Sequence, residues 1–145
     1  MSGAIVSMRN IVTRFGNNLV HDDVNLTIHK GEIYGLLGGS GSGKSTLLRE
    51  MIMLLRPESG SIQVLGHDII NIKHDEAAEL RKKWGVLFQS GALYTSLTVA
   101  ENIAITLKEY INLPAELIDT IVTAKISMVG LPEQAASLYP AELSG

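Results

Sequence analysis

The chain has 145 residues, of which 46% are hydrophobic and 19% charged, and its formal net charge is −3. This composition is ordinary for a folded globular protein, and the acidic balance argues against a general nucleic-acid surface, which would need a basic excess. Because the sequence contains no cysteine, it carries neither a disulfide framework nor a thiolate metal site.

The first part of the chain is predicted to be rich in strands. Residues 4–8 and 24–28 predict two strands on either side of a polar turn at 16–18, and residues 32–37 predict a short buried strand. The next predicted elements are a helix that starts near Lys44 and carries its apolar residues over 47–55, a strand over 61–65, a solvated helix over 74–83 and an apolar strand over 84–88 that ends at Gln89. The basic residues at the end of the solvated helix complement its dipole, which we favour over a nucleic-acid patch.

From residue 90 onward the pattern becomes helical. Thr98 and Glu101 have capping-box spacing and predict a helix that runs to about residue 108. Pro114 suits the first position of a second helix, which Gly130 closes. Its predicted apolar stripe consists of Leu117, Ile118, Ile121, Val122, Met128 and Val129. The sequence therefore predicts a strand-rich part over 1–89 and a helical part over 90–145.

A glycine-rich stretch lies between the predicted strand at 32–37 and the helix that follows. Residues 38–46 contain G-x-x-x-x-G-K-[ST] with no mismatch. The glycines permit conformations in which successive N–H groups turn toward one anion, and the N-terminal end of the helix adds its positive pole. We therefore expect Lys44 to reach the β- and γ-phosphates of a nucleotide, and the Ser45 hydroxyl to ligate Mg²⁺.

Residues 38–46 have a second interpretation, a flexible linker of glycine and serine. A linker has no reason to lie between a buried strand and an amphipathic helix, with lysine and serine at the required offset. The phosphate cradle is therefore the favoured hypothesis. Its predicted binding residues are Gly39, Ser40, Gly41, Ser42, Gly43, Lys44, Ser45 and Thr46.

Three motifs stand in order along the chain: the stretch 38–46, the pair Phe88 and Gln89, and the residues Leu143, Ser144 and Gly145. On these motifs the chain resembles the nucleotide-binding domain of ATP-binding-cassette (ABC) transporters over essentially its whole length. The resemblance implies an α/β P-loop NTPase fold of ABC type, with an antiparallel β portion and a helical subdomain, in truncated form. It also implies ATP and Mg²⁺ as ligands.

The resemblance implies roles for further residues. In the family a strand-end glutamine senses Mg²⁺ and the γ-phosphate and contacts the membrane subunit, which is the role expected for Gln89; by itself it would be an ordinary polar strand terminus. Leu143, Ser144 and Gly145 match the start of the Leu-Ser-Gly-Gly-Gln signature, which contacts the γ-phosphate of the nucleotide held by the other protomer and implies a head-to-tail dimer. Phe15 matches the aromatic position against adenine, with a ring packed under a hairpin turn as the alternative. Val20 is a weaker candidate for the same base.

A more particular resemblance lies in residues 87–94, together with 102–104, 129–131 and 140–145. These stretches are similar to the ATPase of bacterial phospholipid transporters that maintain outer-membrane lipid asymmetry, and of the related toluene-tolerance and mammalian-cell-entry systems. The implied protein is cytoplasmic and held at the inner face of the cell membrane by a permease, which docks after Gln89; no nucleic acid is implied. A nucleotide-binding module without turnover and a soluble ABC ATPase of translation or DNA repair remain as alternatives.

Two motifs of the family have no counterpart in these residues. No run of four apolar residues precedes an Asp or Glu, where the family keeps a Mg²⁺-organising carboxylate and the general base, and no histidine follows Gln89. The histidines present are expected at the surface: His21, His29, His67 and His74. We therefore expect an N-terminal portion of an ATPase that hydrolyses ATP negligibly by itself and exposes a sheet edge.

Overall fold

The computed structural model describes residues 3–89 and 91–143. The chain forms two units, Met1–Gly85 and Val86–Gly145. The first unit combines strands with helices, and the second is helical. Within the described ranges, no helix has both the length and the apolar character that crossing a lipid bilayer requires.

The first unit contains an antiparallel sheet in the order β2-β1-β3-β4. Its strands are β1 (Ala4–Phe15), β2 (Asn18–His29), β3 (Ser59–Val64) and β4 (His67–Asp68). The two predicted N-terminal strands are confirmed, and both are longer than predicted. The reason is the tight turn at Gly16 and Asn17, which brings Phe15 opposite Asn18 and continues the ladder through polar residues. The predicted strand over 61–65 is confirmed as β3.

Two helices accompany the sheet, α1 (Lys44–Met51) and α2 (His74–Arg81). Helix α1 begins at Lys44, as predicted, because Gly43 at φ 85 serves as its N-cap in the left-handed region. It ends earlier than predicted, since Met53 adopts a positive φ of 60 that a helix cannot continue through. Helix α2 confirms the predicted solvated helix, with Asp75 and Glu76 in its first turn.

The core of the first unit joins the sheet to both helices. Met8, Ile11 and Ile62 have no exposed surface, and Met8 lies opposite Ile62 across the β1–β3 ladder. The other buried members of this core are Leu26, Leu47, Met51, Val64, Ile69 and Leu80. Leu47 and Met51 lie four residues apart on α1, so one face of this helix packs into the core and anchors the segment that precedes it.

Two predicted strands are wrong. Residues 32–37 and 84–88 form no regular strand, and they leave Ile33, Leu37 and Leu87 almost fully exposed. An apolar run predicts that a segment will be buried, but a strand also needs a neighbour that completes its hydrogen-bond ladder. Among the described residues, the strand ladders involve only β1, β2, β3 and β4, and neither of the two segments pairs with them.

The second unit contains α3 (Val99–Tyr110), α4 (Ala115–Met128) and two short 3₁₀ helices, Glu133–Ser137 and Pro140–Glu142. The predicted capping box is confirmed. The Thr98 hydroxyl accepts from the Glu101 amide at 3.2 Å. The Glu101 carboxylate accepts from the Thr98 amide at 2.8 Å. These reciprocal bonds satisfy two backbone donors at the start of α3, which explains why the helix begins there.

The buried face of α4 is narrower than predicted. Ile118, Val122 and Ile126 are buried at a spacing of four residues, together with Val99 of α3. Three residues of the predicted stripe, Leu117, Met128 and Val129, are exposed. The prediction that these three residues are buried is wrong. Only one row of side chains, at a spacing of four, faces α3, and residues beside that row or at the end of the helix turn away from it. Pro114 is the N-cap and not the first helical residue.

Candidate functional site

The glycine-rich loop ends where α1 begins. Gly41 and Gly43 have φ values of 78 and 85, in a region that residues with a Cβ rarely adopt. The Gly43 carbonyl accepts the first bond of the helix, from the Leu47 amide at 2.9 Å. The N–H groups of the first helical residues have no acceptor within their own helix, so they are directed toward the loop. This arrangement can bind an anion through backbone amides and the helix dipole.

The side chain of Lys44 folds back over the loop. Its ammonium group donates to the carbonyl oxygens of Gly38 at 2.8 Å and Gly39 at 2.6 Å. It also donates to the Ser42 hydroxyl at 3.1 Å. One positive charge is therefore held against the loop. All three ammonium hydrogens are donated to the loop, so Lys44 would exchange one of these bonds for a bond to a phosphate bound there.

The remaining loop residues lie around this point. Ser45 is exposed and Thr46 half-buried in the first turn of α1, while Ser40 is exposed. An exposed hydroxyl one residue after Lys44 is suited to hold Mg²⁺ beside a bound phosphate, since Mg²⁺ prefers oxygen ligands. The structure thus brings together the contiguous residues that the motif predicted, and their roles toward a nucleotide stay predictions.

The candidate adenine contacts lie on the hairpin of β1 and β2. Phe15 ends β1, opposite Asn18, and half of its surface is exposed. Val20 lies close to the loop, because a Cβ built on Gly43 would come within 2.8 Å of its Cγ1. An exposed ring on the same unit as the loop is compatible with stacking on a base, and that role stays a prediction.

The other predicted site residues belong to the second unit or lie outside the described residues. Gln89 is exposed and follows an irregular segment, so the expectation that it ends a strand is wrong. Ser144 and Gly145, the predicted contacts to a partner's nucleotide, lie outside the described residues. Their proposed roles therefore depend on the family resemblance alone.

The segment 94–98 is held by one side chain, that of Asn102. The Asn102 carbonyl oxygen accepts from the Tyr94 amide at 2.8 Å. The Asn102 amide group donates to the backbone oxygens of Tyr94, Leu97 and Thr98 at 3.1, 3.0 and 2.9 Å. These bonds attach the segment to α3, while the side chains of Leu93 and Tyr94 are exposed. The segment therefore presents apolar and aromatic surface on an ordered backbone.

A buried polar cluster lies under the loop, and sequence reasoning missed it. Thr13 and His21 are cross-strand neighbours on β1 and β2, and Glu50 is on α1. All three are buried, with exposed fractions of 2%, 5% and 1%. The expectation that His21 lies at the surface is therefore wrong. A signal was present: Glu50 falls between Leu47 and Met51 on the buried face of α1, where a carboxylate needs a partner.

The cluster contacts the loop through His21. Its Nε2 lies 3.1 Å from the Gly43 carbonyl oxygen. Its Nδ1 lies 3.1 Å from the Thr13 hydroxyl. The Thr13 hydroxyl lies 2.5 Å from Glu50 Oε1. The second carboxylate oxygen of Glu50 has no hydrogen-bond partner among the described residues and lies 3.6 Å from His21 Nδ1. A continuous chain therefore connects Glu50 to the last residue of the loop.

The hydrogen-bond donors between Glu50 and Gly43 follow from the chemistry of each group. A carbonyl only accepts, so His21 Nε2 carries a proton and donates to Gly43. The single Thr13 hydrogen then has two directions. If it points toward Glu50 Oε1, His21 Nδ1 donates to the hydroxyl; if it points toward His21 Nδ1, the Glu50 carboxyl donates to the hydroxyl. Both arrangements retain the bond to Gly43, and burial raises the pKa of the Glu50 carboxyl, opposed in part by Thr13 and His21.

Glu50→Gln is expected to change the pH dependence of stability. The pKa of Glu50 is raised in the folded chain. The contribution of this carboxyl to the free energy of unfolding is therefore fully present below its pKa in the unfolded chain, about 4.5, and is lost as the pH rises through its pKa in the folded chain. The free energy of unfolding of the parent, relative to Glu50→Gln, should therefore fall across this window, by up to about 1.4 kcal/mol per pH unit.

Urea denaturation from about pH 4 to pH 8 measures this difference. Glu76→Gln, which removes an exposed carboxylate of α2 in the same unit, is the matched control. A difference between parent and Glu50→Gln that stays flat across the range would contradict the expectation.

Comparison with known proteins places the chain in a family. Residues 21–145 match the family model described as ABC transporter. The chain is 41% identical to the intermembrane phospholipid transport system ATP-binding protein MlaF of Haemophilus influenzae, over 100% of this chain and 54% of the relative. It is also 41% identical to the probable ribonucleotide transport ATP-binding protein mkl of Mycobacterium tuberculosis, over 99% of this chain and 40% of that protein. The chain thus spans about half the length of these relatives.

Solved structures support the same placement. The fold is similar to the dimeric ATP-binding cassette MJ0796 in a post-hydrolysis state bound to ADP and Pi, with a TM-score of 0.84 and 28% identity. The match covers 96% of this chain and 63% of that chain. The predicted fold class, a P-loop cassette with an antiparallel sheet and a helical part, is confirmed. The chain belongs to the ABC transporter family.

Proposed function

We propose that this chain binds Mg-ATP at residues 38–46 as part of the energising subunit of an ABC transporter for phospholipids. One observation carries the nucleotide site: the Lys44 ammonium is held against a glycine-rich loop at the start of α1. The phospholipid assignment is supported by the 41% identity to MlaF. The 28% identity to a cassette bound to ADP and Pi supports a nucleotide as the anion.

The chemistry proposed for this site is charge neutralisation and positioning. Lys44 and the first amides of α1 hold the β- and γ-phosphates, and Phe15 contacts the base. Ser45 and Gln89 are the candidate ligands of Mg²⁺, which would neutralise charge on the phosphate oxygens and orient them. Phosphoryl transfer to water needs this electrostatic stabilisation more than covalent chemistry.

Turnover is proposed for the family's dimer and not for this chain by itself. Two copies would close head to tail on two nucleotides, with Ser144 and Gly145 of one copy against the nucleotide of the other. The sequence contains no carboxylate after four apolar residues that would serve as general base. Nucleotide binding without turnover is therefore the second candidate for the isolated chain, and phosphate release with Mg-ATP distinguishes the two.

The partner proposed for the second unit is a membrane permease, which would hold the cytoplasmic subunit at the membrane. Leu93 and Tyr94 are exposed, and Asn102 fixes the backbone at Tyr94. Exposed apolar and aromatic side chains on an ordered backbone are suited to a protein contact.

Copurification tests this assignment. The tagged chain is expressed with a candidate phospholipid permease and isolated from detergent-solubilised membranes, and we expect the permease to be retained. Tyr94→Asp should lose it, whereas Tyr110→Asp, which changes an equally exposed tyrosine of the same unit, should not. Equal retention by both variants would contradict the proposed surface. Retention of ribosomal or DNA-repair proteins in place of the permease would favour a soluble ABC ATPase.

A further inference from the structure

We propose that His21 is a positioning residue of the phosphate loop: with Thr13 and Glu50 it orients the peptide group between Gly43 and Lys44 toward the bound nucleotide. This inference rests on the proposed function, because it concerns how the same loop binds a phosphate. It adds a buried group outside the glycine-rich motif to the residues that determine nucleotide affinity.

The peptide group between Gly43 and Lys44 is held from its carbonyl side. A peptide is planar and trans, so the Gly43 carbonyl and the Lys44 N–H point in opposite directions. His21 Nε2 lies 3.1 Å from that carbonyl oxygen. The Leu47 amide donates to the same oxygen at 2.9 Å, and a second donor held at His21 Nε2 restricts the plane of the peptide further. The Lys44 N–H, which has no acceptor inside α1, is then held in the direction of the loop and its anion.

The histidine donor is rigid. His21 is buried, and its other ring nitrogen is bonded to Thr13, which is bonded in turn to Glu50. The imidazole therefore has one orientation, set from both sides. Thr13 and His21 are cross-strand neighbours, and Glu50 lies on α1, so the cluster connects the sheet to the helix whose first residues bind the phosphate.

The contact between His21 and Gly43 is close. A Cβ on Gly43 would lie 2.6 Å from His21 Nε2 and 2.8 Å from Val20 Cγ1. No side chain fits between the histidine and the backbone. A positive φ and this close approach together require glycine at position 43, so the loop and the histidine are mutually adapted.

Two isosteric replacements separate positioning from structural support. In a Glu50→Gln background, which removes the buried charge, His21→Gln places an amide nitrogen where Nε2 stood and retains a donor to Gly43. His21→Asn places its amide near the former Nδ1, retains a partner for Thr13 and loses the donor to Gly43. We expect the first double variant to bind Mg-ATP within about twofold of the parent, and the second to bind about fivefold more weakly.

Calorimetric titration with Mg-ATP measures the affinities, and urea denaturation checks that both double variants are folded. Equal affinities of the glutamine and asparagine variants would overturn the inference, because a purely structural role moves both together. If the asparagine variant does not fold, His21→Leu with Glu50→Leu replaces it, since an apolar pair often restores stability. This variant should also bind about fivefold more weakly, and affinity equal to the parent would overturn the inference.

Failure of the proposed function has a separate signature. If the parent chain does not bind Mg-ATP, hydrogen exchange at the amides of residues 44–47, measured without nucleotide, decides the inference about His21. Faster exchange in the asparagine variant than in the glutamine variant supports positioning of the loop, and equal exchange overturns it.

Discussion

Lys44→Ala is expected to remove most of the stabilisation that Mg-ATP gives the chain. At about one hundred times its dissociation constant, a ligand stabilises the state that binds it by about 2.7 kcal/mol. The ammonium contributes charge-assisted bonds to the phosphates, each worth up to about 3 kcal/mol, so its loss should weaken binding about one hundredfold. At the same nucleotide concentration the variant would then gain only about 0.4 kcal/mol.

Urea denaturation with and without Mg-ATP measures this loss. The bonds that Lys44 makes within the described part of the chain go to exposed loop atoms, so the variant should be nearly as stable as the parent without nucleotide. Lys83→Ala, which removes an exposed lysine of the same unit, should keep the full stabilisation. A Lys44→Ala chain that gains as much from Mg-ATP as the parent would remove the basis of the proposed site.

Gly43→Ala is expected to destabilise the chain by about 3 kcal/mol and to abolish nucleotide binding. Two costs add up. A left-handed conformation costs a residue with a Cβ about 1–2 kcal/mol, and Gly43 has φ 85. The new methyl group would meet His21 Nε2 at 2.6 Å and Val20 Cγ1 at 2.8 Å, and such overpacking typically costs about 1–3 kcal/mol.

Gly66→Ala is a closely matched control for this variant. Gly66 has φ 84, nearly the value of Gly43, and a Cβ built on it meets nothing within 4 Å. The Gly66→Ala substitution should therefore lower the free energy of unfolding only through its left-handed backbone conformation, by about 1–2 kcal/mol, and leave Mg-ATP binding unchanged. Equal losses of unfolding free energy in the two variants would show that the contact with His21 and Val20 carries no cost.

The elements predicted correctly are those whose signals lie within a few residues of each other. The capping box at Thr98 and Glu101 depends on a spacing of three residues, and the hairpin depends on a turn at Gly16 and Asn17. The candidate site is likewise contiguous, since the motif spacing names residues 38–46 and α1 begins inside it. Features that depend on residues close together in the sequence can be predicted without knowledge of the fold.

The wrong predictions concern partners that are distant along the chain. Apolar residues at 32–37 and 84–88 predicted strands, but no ladder of the described residues includes them. Composition indicates that a segment prefers burial and does not provide the neighbour that a strand needs. The exposure of Met128 and Val129 has a similar cause, because periodicity gives a helix an apolar face without saying how much of that face a neighbour covers.

The sequence by itself determined the position of the loop and the identity of its lysine, because these follow from residue types at fixed short spacings. It indicated the family through the resemblance of three motifs in order along the chain. Only the tertiary structure decided that Thr13, His21 and Glu50 meet under that loop. Their contacts span 8 residues for Thr13 and His21 and 37 residues for Thr13 and Glu50. Such contacts arise when a hairpin and a helix pack around a shared core, and the free energy of that packing is a property of the whole unit and not of any local pattern.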